Sequence, residues 1–166
     1  MTNRAVGRRR FLSIAVLPPA IWLAGCATPS APAPGAADWW SGRLNLQLDG
    51  DPPQNYSAGF ELAGNAARGE IKLFSPFGQT VASATWSSQG ATLQRGDETR
   101  QYPDMASLTT ELTGTALPIA PLFDWLRGEP TSLDGWEVDL TQHPQGRLSA
   151  RRLHPLPGAR LRVVFQ

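Results

Sequence analysis

The chain has 166 residues, with 15 Lys or Arg against 14 Asp or Glu and a formal net charge of +1. That size suits one domain, and so even a balance excludes a nucleic-acid binder that is basic overall. A single cysteine, Cys26, excludes an intrachain disulfide.

The first element is not part of the fold. Arg4, Arg8, Arg9 and Arg10 form a basic leader, and Phe11–Gly25 is an apolar run of about 15 residues that contains Pro18 and Pro19. A membrane span needs about 20 apolar residues, so residues 1–25 read as an export signal. Gly7-Arg8-Arg9-Arg10-Phe11-Leu12 also has the order of a twin-arginine signal, and the choice between that route and the general one stays open. Leu23-Ala24-Gly25-Cys26 is a lipobox, as in bacterial lipoproteins, with Cys26 as the acylation site. One acyl chain is marginal as an anchor and several hold firmly. The expected location is therefore a membrane surface. Ala27, where an Asp would retain the protein at the inner membrane, points to the outer one. Residues 26–37 form a lipidated Pro/Ala tether that spans at most about 35 Å.

The folded domain is expected at 38–166. Leu44, Leu46 and Leu48 alternate with polar residues, which is the period of a strand. Phe60 and Leu62 continue the alternation after an Asp-Gly-Asp-Pro-Pro turn. Ile71 and Leu73 follow, and a Ser75-Pro76-Phe77-Gly78 turn leads to a strand carrying Ala82, Ala84 and Trp86. Ser, Pro and Gly at those positions suit a type I turn, with Phe77 near its tip. Two more short strands extend to Tyr102. Strands at such intervals with Gly-rich turns predict an antiparallel meander.

The period then changes. Asp104 is a fair helix N-cap, with Met105, Leu108 and Leu112 on one helical face, and Gly114 ends the helix. A second helix carries Pro121 in its first turn and Leu122, Phe123, Trp125 and Leu126 on one side. Strands return with Trp136 and Val138, with Leu148 to Leu153, and with Leu161, Val163 and Phe165. The expected fold is mainly β with short helices (α+β). It is an antiparallel sheet curled into an incomplete β-barrel, with the helices as a lid over an apolar cavity. The residues expected to line that cavity are Leu44, Leu46, Leu48, Phe60, Leu62, Ile71, Leu73 and Trp86 on the first strands. Leu108, Leu112, Leu122, Phe123 and Leu126 join them from the helices, and Trp136, Val138 and Val163 from the last strands. A filled sandwich core is the alternative that the pattern leaves open.

No His/Cys/Asp cluster has metal-ligand spacing, and no Gly-x-Ser-x-Gly elbow or phosphate loop occurs. The sequence argues against an enzyme, and no cofactor is expected. After Asp139 the chain has no acidic residue, but it has Arg147, Arg151, Arg152, Arg160 and Arg162. These form either a basic edge for an acidic partner or anionic lipid, or a set of solvated strand faces.

With these features in order, the chain from Ser41 to Phe165 resembles the LolB family, outer-membrane receptors for lipoproteins. The stretches that carry the resemblance are Ser-Gly-Arg-Leu-Asn-Leu-Gln-Leu (41–48), the Pro76-x-Gly78 loop within 71–86, Leu117-Pro118-Ile119 to Gly128, and Gly135–Leu140. The resemblance implies a cavity that accepts the acyl chains of lipoproteins from the periplasmic carrier LolA. It implies release of that cargo into the outer-membrane bilayer by a monomer on the periplasmic face. By position, Phe77, held by Pro76 and Gly78, is the apolar tip that acts on the bilayer. Family members carry a polar helix before the first strand. Here only Asp38-Trp39-Trp40-Ser41-Gly42 intervenes, and the tryptophans either cap the sheet or rest among lipid head groups. A lipid-binding or structural outer-membrane lipoprotein of another envelope pathway is the alternative function.

Overall fold

The computed structural model describes residues 38–166. Cys26 and the segments expected at 1–25 and 26–37 lie outside the described residues. Six strands come first: β1 (Asp38–Leu48), β2 (Gln54–Gly64), β3 (Gly69–Phe74), β4 (Thr80–Ser87), β5 (Gly90–Arg95) and β6 (Glu98–Tyr102). Helices α1 (Met105–Thr113) and α2 (Ile119–Leu126) follow, then β7 (Trp136–Asp139), β8 (Arg147–Arg152) and β9 (Ala159–Phe165). The strands form one nine-stranded sheet in the order β6-β5-β4-β3-β2-β1-β9-β8-β7. Every pairing is antiparallel. β6 and β7 are its two edges, so the sheet is not closed.

The period of two sorts the side chains. Rows of apolar residues run across the strands on one face: Val163 opposite Leu44, Leu161 opposite Leu46, Leu73 opposite Phe60, and Ala84 opposite Ile71 and Leu93. Burial of this face, at roughly 25 cal/mol per Å² of apolar surface, drives the assembly. The sheet bends around it. Leu93 on β5 and Leu161 on β9 are five strands apart in the order, about 24 Å in a flat sheet, yet they line the same pocket.

Two details differ from what the alternation predicts. Asp38-Trp39-Trp40-Ser41-Gly42 does not precede the first strand. It is the first part of β1 and pairs with residues 60–64 of β2. Successive residues of a strand point to opposite faces, so the two tryptophans separate. Trp39 is exposed, whereas Trp40 packs edge-on against Phe123 with ring centroids 5.6 Å apart. The same geometry divides the C-terminal arginines. Arg151 lies on the outer face opposite Arg160, while Arg152 points inward and is only 5% exposed. The Arg152 guanidinium donates to Thr115 Oγ1 and to the Pro157 carbonyl at 2.5 Å, and it sits 5.9 Å from the Trp136 ring. No carboxylate is among these partners, and burial holds its pKa below the usual arginine range.

Both helices are short, and α1 is capped at each end. Asp104 accepts a hydrogen bond from the Ser107 N–H at 2.7 Å, and Gly114 ends α1 in the left-handed region at φ +73°. α1 packs against β5 and β6. The last turn of α2 is the most deeply buried part of the fold. Phe123, Trp125 and Leu126 are nearly inaccessible, and Trp125 Nε1 donates to the Thr131 carbonyl at 3.0 Å.

Candidate functional site

The inner face of the sheet is not used uniformly. One part is filled by aromatic side chains. Trp86 reaches over Gly69, where even a Cβ would lie 2.4 Å from the indole, so only glycine fits there. Trp86 Nε1 is satisfied by the Asn65 carbonyl at 3.0 Å. Phe123 lies between Trp40 and Trp86, with centroid distances of 5.6 and 6.1 Å, and Trp125 is 6.1 Å from Trp136. Such stacks contribute about 0.5–1.5 kcal/mol per pair beyond their burial.

The other part is a pocket of about 220 Å³ between the sheet and the helices. On the strands it is lined by Leu44, Leu46, Ile71, Leu73, Ala82, Ala84, Leu93 and Leu161. α1 contributes Met105, Leu108 and Leu112, and Leu117, Ile119 and Leu122 come from the connection and the start of α2. Tyr56, Ser83, Thr109, Thr113 and the exposed Arg95 are the polar members of the lining. Small residues make the room. Ala82 and Ala84 stand where Trp86 stands one pair further along β4.

Of the residues expected to line a cavity, Leu44, Leu46, Ile71, Leu73, Leu108, Leu112 and Leu122 come together in this pocket. Leu48, Phe60, Leu62, Trp86, Phe123, Leu126 and Val163 are buried in the core without lining it, and Trp136 and Val138 pack against that core. Both kinds of residue obey the same alternation, so period alone does not separate them. Ala82, Ala84, Leu93, Met105, Leu117, Ile119 and Leu161 line the pocket but are not among the expected cavity residues. Helical spacing places Met105 on the face of Leu108 and Leu112, and this was the signal available for it.

The loop after β3 leaves the sheet next to this pocket, directly past Leu73 and Phe74. Ser75 organises it. The Gly78 N–H donates to the Ser75 carbonyl at 2.9 Å, and the N–H groups of Phe77 and Gln79 each lie 3.3 Å from Ser75 Oγ. Gly78 has φ +79°, a conformation that favours glycine. Pro76 presets the turn. Phe77 is 92% exposed at its tip. The register of β3 and β4 slips by one residue here, between Leu73 opposite Ala82 and Phe74 opposite Thr80. Such a bulge bends the hairpin and re-aims its end.

Electrostatics around the pocket are sparse. Arg100 is held above its usual range by a hydrogen bond to Glu98, reinforced by Glu111 of α1. On the outer face Arg151 meets Glu137 at 3.4 Å, and Arg160 donates to Gln47 at 3.4 Å. Among the described residues no group of three or more His, Cys, Asp or Glu could hold a metal ion.

A family model described as "Outer membrane lipoprotein LolB" matches residues 39–155. The chain is 35% identical over 133 residues to the outer-membrane lipoprotein LolB of Chromobacterium violaceum, covering 75% of this chain and 69% of that protein. It is 33% identical over 155 residues to the LolB of Cupriavidus pinatubonensis, covering 87% and 72%. With the LolB of Thiobacillus denitrificans it shares 27% over 178 residues, covering 91% and 94%.

Proposed function

Since this chain belongs to the LolB family of outer-membrane lipoproteins, we propose that it accepts acylated lipoproteins from the periplasmic carrier LolA and delivers them to the outer membrane. The observation that carries this reading is the pocket itself. It is walled mainly by leucine, isoleucine, alanine and methionine, with a few hydroxyl side chains among them, and it lies beside an exposed phenylalanine loop. Saturated acyl chains are recognised by apolar burial, about 0.8 kcal/mol per methylene, and need no convergent polar groups. Transfer from one such pocket to another, and then to the bilayer, requires neither covalent chemistry nor a nucleotide.

At about 220 Å³ the pocket is smaller than the roughly 300–1,000 Å³ of typical ligand sites. Acceptance of acyl chains therefore requires α1 and the start of α2 to move away from the sheet as a lid. Leu112 and Leu122 are only half-buried, so this movement breaks fewer contacts than displacement of Trp125 would. In the delivery step the tip at Phe77 enters the bilayer beside the pocket and opens a route for the chains. Cys26, if acylated, keeps the domain at the membrane throughout.

A photo-crosslinking residue at Leu112 tests the reading. Incubation with LolA carrying an acylated lipoprotein is expected to yield a covalent adduct with the cargo. The same residue at Glu137, on the outside of β7, is expected to yield none. Cargo that stays on LolA in the presence of the acylated protein refutes the proposal.

A further inference from the structure

Phe77 has a counterpart. Leu156, in the loop between β8 and β9, is 83% exposed, and every other exposed large apolar residue among the described residues is at 51% or less. Leu156 lies just beyond the segment matched by the family model.

The register points both hairpins toward the same end of the sheet, with the Phe77 hairpin leaving it five residues short of Gln54. β8 and β9 join where Arg152 is opposite Ala159, and Ala159 is opposite Leu48, beside the β1–β2 turn. Leu48 is in turn opposite Gln54, the start of β2. β3 runs toward that same end and leaves the sheet at Phe74, opposite Gly59. The path along the curved sheet from one hairpin to the other is about four strand spacings, at most roughly 19 Å across the strands. The pocket-lining residues Leu46, Leu73, Arg95 and Leu161 belong to the strand ends between and beside them.

The backbone of the two tips is unusual in the same way. A peptide N–H carried into hydrocarbon without a partner costs several kcal/mol. In Pro76-Phe77-Gly78, proline has no N–H, and Ser75 accepts from the other two residues. In Pro155-Leu156-Pro157 only Leu156 carries an N–H, and the Pro157 carbonyl is occupied by Arg152 at 2.5 Å. Such tips are poor in free donors and suit a medium that offers no acceptors. A protein partner would be the weaker match. It needs roughly 800 Å² of contiguous surface per side, whereas here the β1–β2 turn, with exposed Asp49 and Asp51, separates two narrow tips. Those aspartates also mean that the attraction is apolar and not directed at anionic head groups.

We propose that Leu156 is a second bilayer contact, which together with Phe77 holds the pocket-bearing end of the domain against the lipid surface. One inserted side chain leaves the domain free to pivot, and two at this separation fix an axis. The inference rests on the proposed action of loop 75–79 at the membrane.

The test uses the full acylated protein in vesicles of phosphatidylethanolamine and phosphatidylglycerol doped with spin-labelled phosphatidylcholine. Cys26 is the only native cysteine, so with that thiol acylated, Leu156→Cys, Phe77→Cys or Gln89→Cys each accepts one environment-sensitive fluorophore. Gln89 is exposed in the β4–β5 turn at the opposite end. Quenching at 156 and at 77 is expected to be several-fold above that at 89. Quenching at 77 with none beyond the control at 156 overturns this inference and leaves the delivery reading standing. Control-level quenching at both positions overturns the role of loop 75–79 and the second contact with it.

Discussion

If the proposed delivery step is right, replacing Phe77 with glutamate is expected to separate folding from delivery. The side chain is 92% exposed, and the hydrogen bonds of its loop come from Ser75 and the backbone. Surface changes of this kind usually stay within about 0.5 kcal/mol of wild-type stability. No pocket-lining residue is altered, so cargo acceptance from LolA is expected at the wild-type rate. Delivery is different. Burial of a phenylalanine contributes about 1.5–3 kcal/mol, and each 1.4 kcal/mol is a factor of ten. Loss of that contribution at the bilayer predicts a fall in the delivery rate of roughly 10- to 100-fold, and the carboxylate deepens it. Phe77→Leu retains most of the apolar surface and is expected to stay within a few-fold of wild type. The assay follows a labelled lipoprotein from LolA to the reconstituted protein and then into vesicles, with the two steps timed separately. A glutamate variant that accepts and delivers at wild-type rates refutes the reasoning.

Three further outcomes are expected. Trp125→Ala removes a fully buried indole and leaves the Thr131 carbonyl without its donor. A loss of about 3–5 kcal/mol in denaturant unfolding is expected, and an unchanged midpoint means that the last turn of α2 is not the anchor of the helix pair. Arg152→Ala is expected to lose about 2–4 kcal/mol, because the Pro157 carbonyl and the Thr115 hydroxyl lose a charged donor and the stem no longer packs. Arg152→Met keeps the stem and is expected to lose less; equal losses would show that stem packing contributes nothing. Hydrogen bonds from the Ser107 N–H and hydroxyl hold the Asp104 carboxyl below its ordinary pKa of 3.8. Its stabilisation is therefore complete above that value and is lost as the pH falls through the lower folded-state value. Asparagine also caps helices well, so Asp104→Asn should flatten this part of the acid-unfolding curve. An unaltered curve places the pH dependence elsewhere, with Asp139 beside Thr141 as the other lowered carboxyl.

Much of the architecture was open to inspection in the residues themselves. Alternation, Gly-rich turns, Asp104 and Gly114 are local signals, and six strands, two helices and three strands follow from them in order. The Ser-Pro-x-Gly turn is equally local, because its hydrogen bonds all close within residues 75–79. Less local features were hidden. The start of β1 at Asp38 depends on its partners in β2, and the two tryptophans look alike until a strand sends them to opposite faces. Pro155 and Pro157 mark Leu156 as a loop residue, but that its side chain stands exposed toward the same end of the sheet as Phe77 depends on the pairing of distant strands.

What the sequence by itself determined is the list of elements, the alternation of faces along most strands, the turn that bears Phe77 and, through the order of its motifs, the family. Those follow from backbone sterics and from periods of two and 3.6, which need no knowledge of distant neighbours. Only the tertiary structure decided which inward residues fill space and which leave it. Ala82, Ala84 and Trp86 share one face of one strand, yet the first two border the pocket and the third packs against Phe123 outside it. The difference lies in what the curled sheet and α2 bring opposite them, Leu122 and Ile119 in one case and Phe123 in the other. Volume is a property of facing side chains from remote parts of the chain, and it exists only once the sheet has bent.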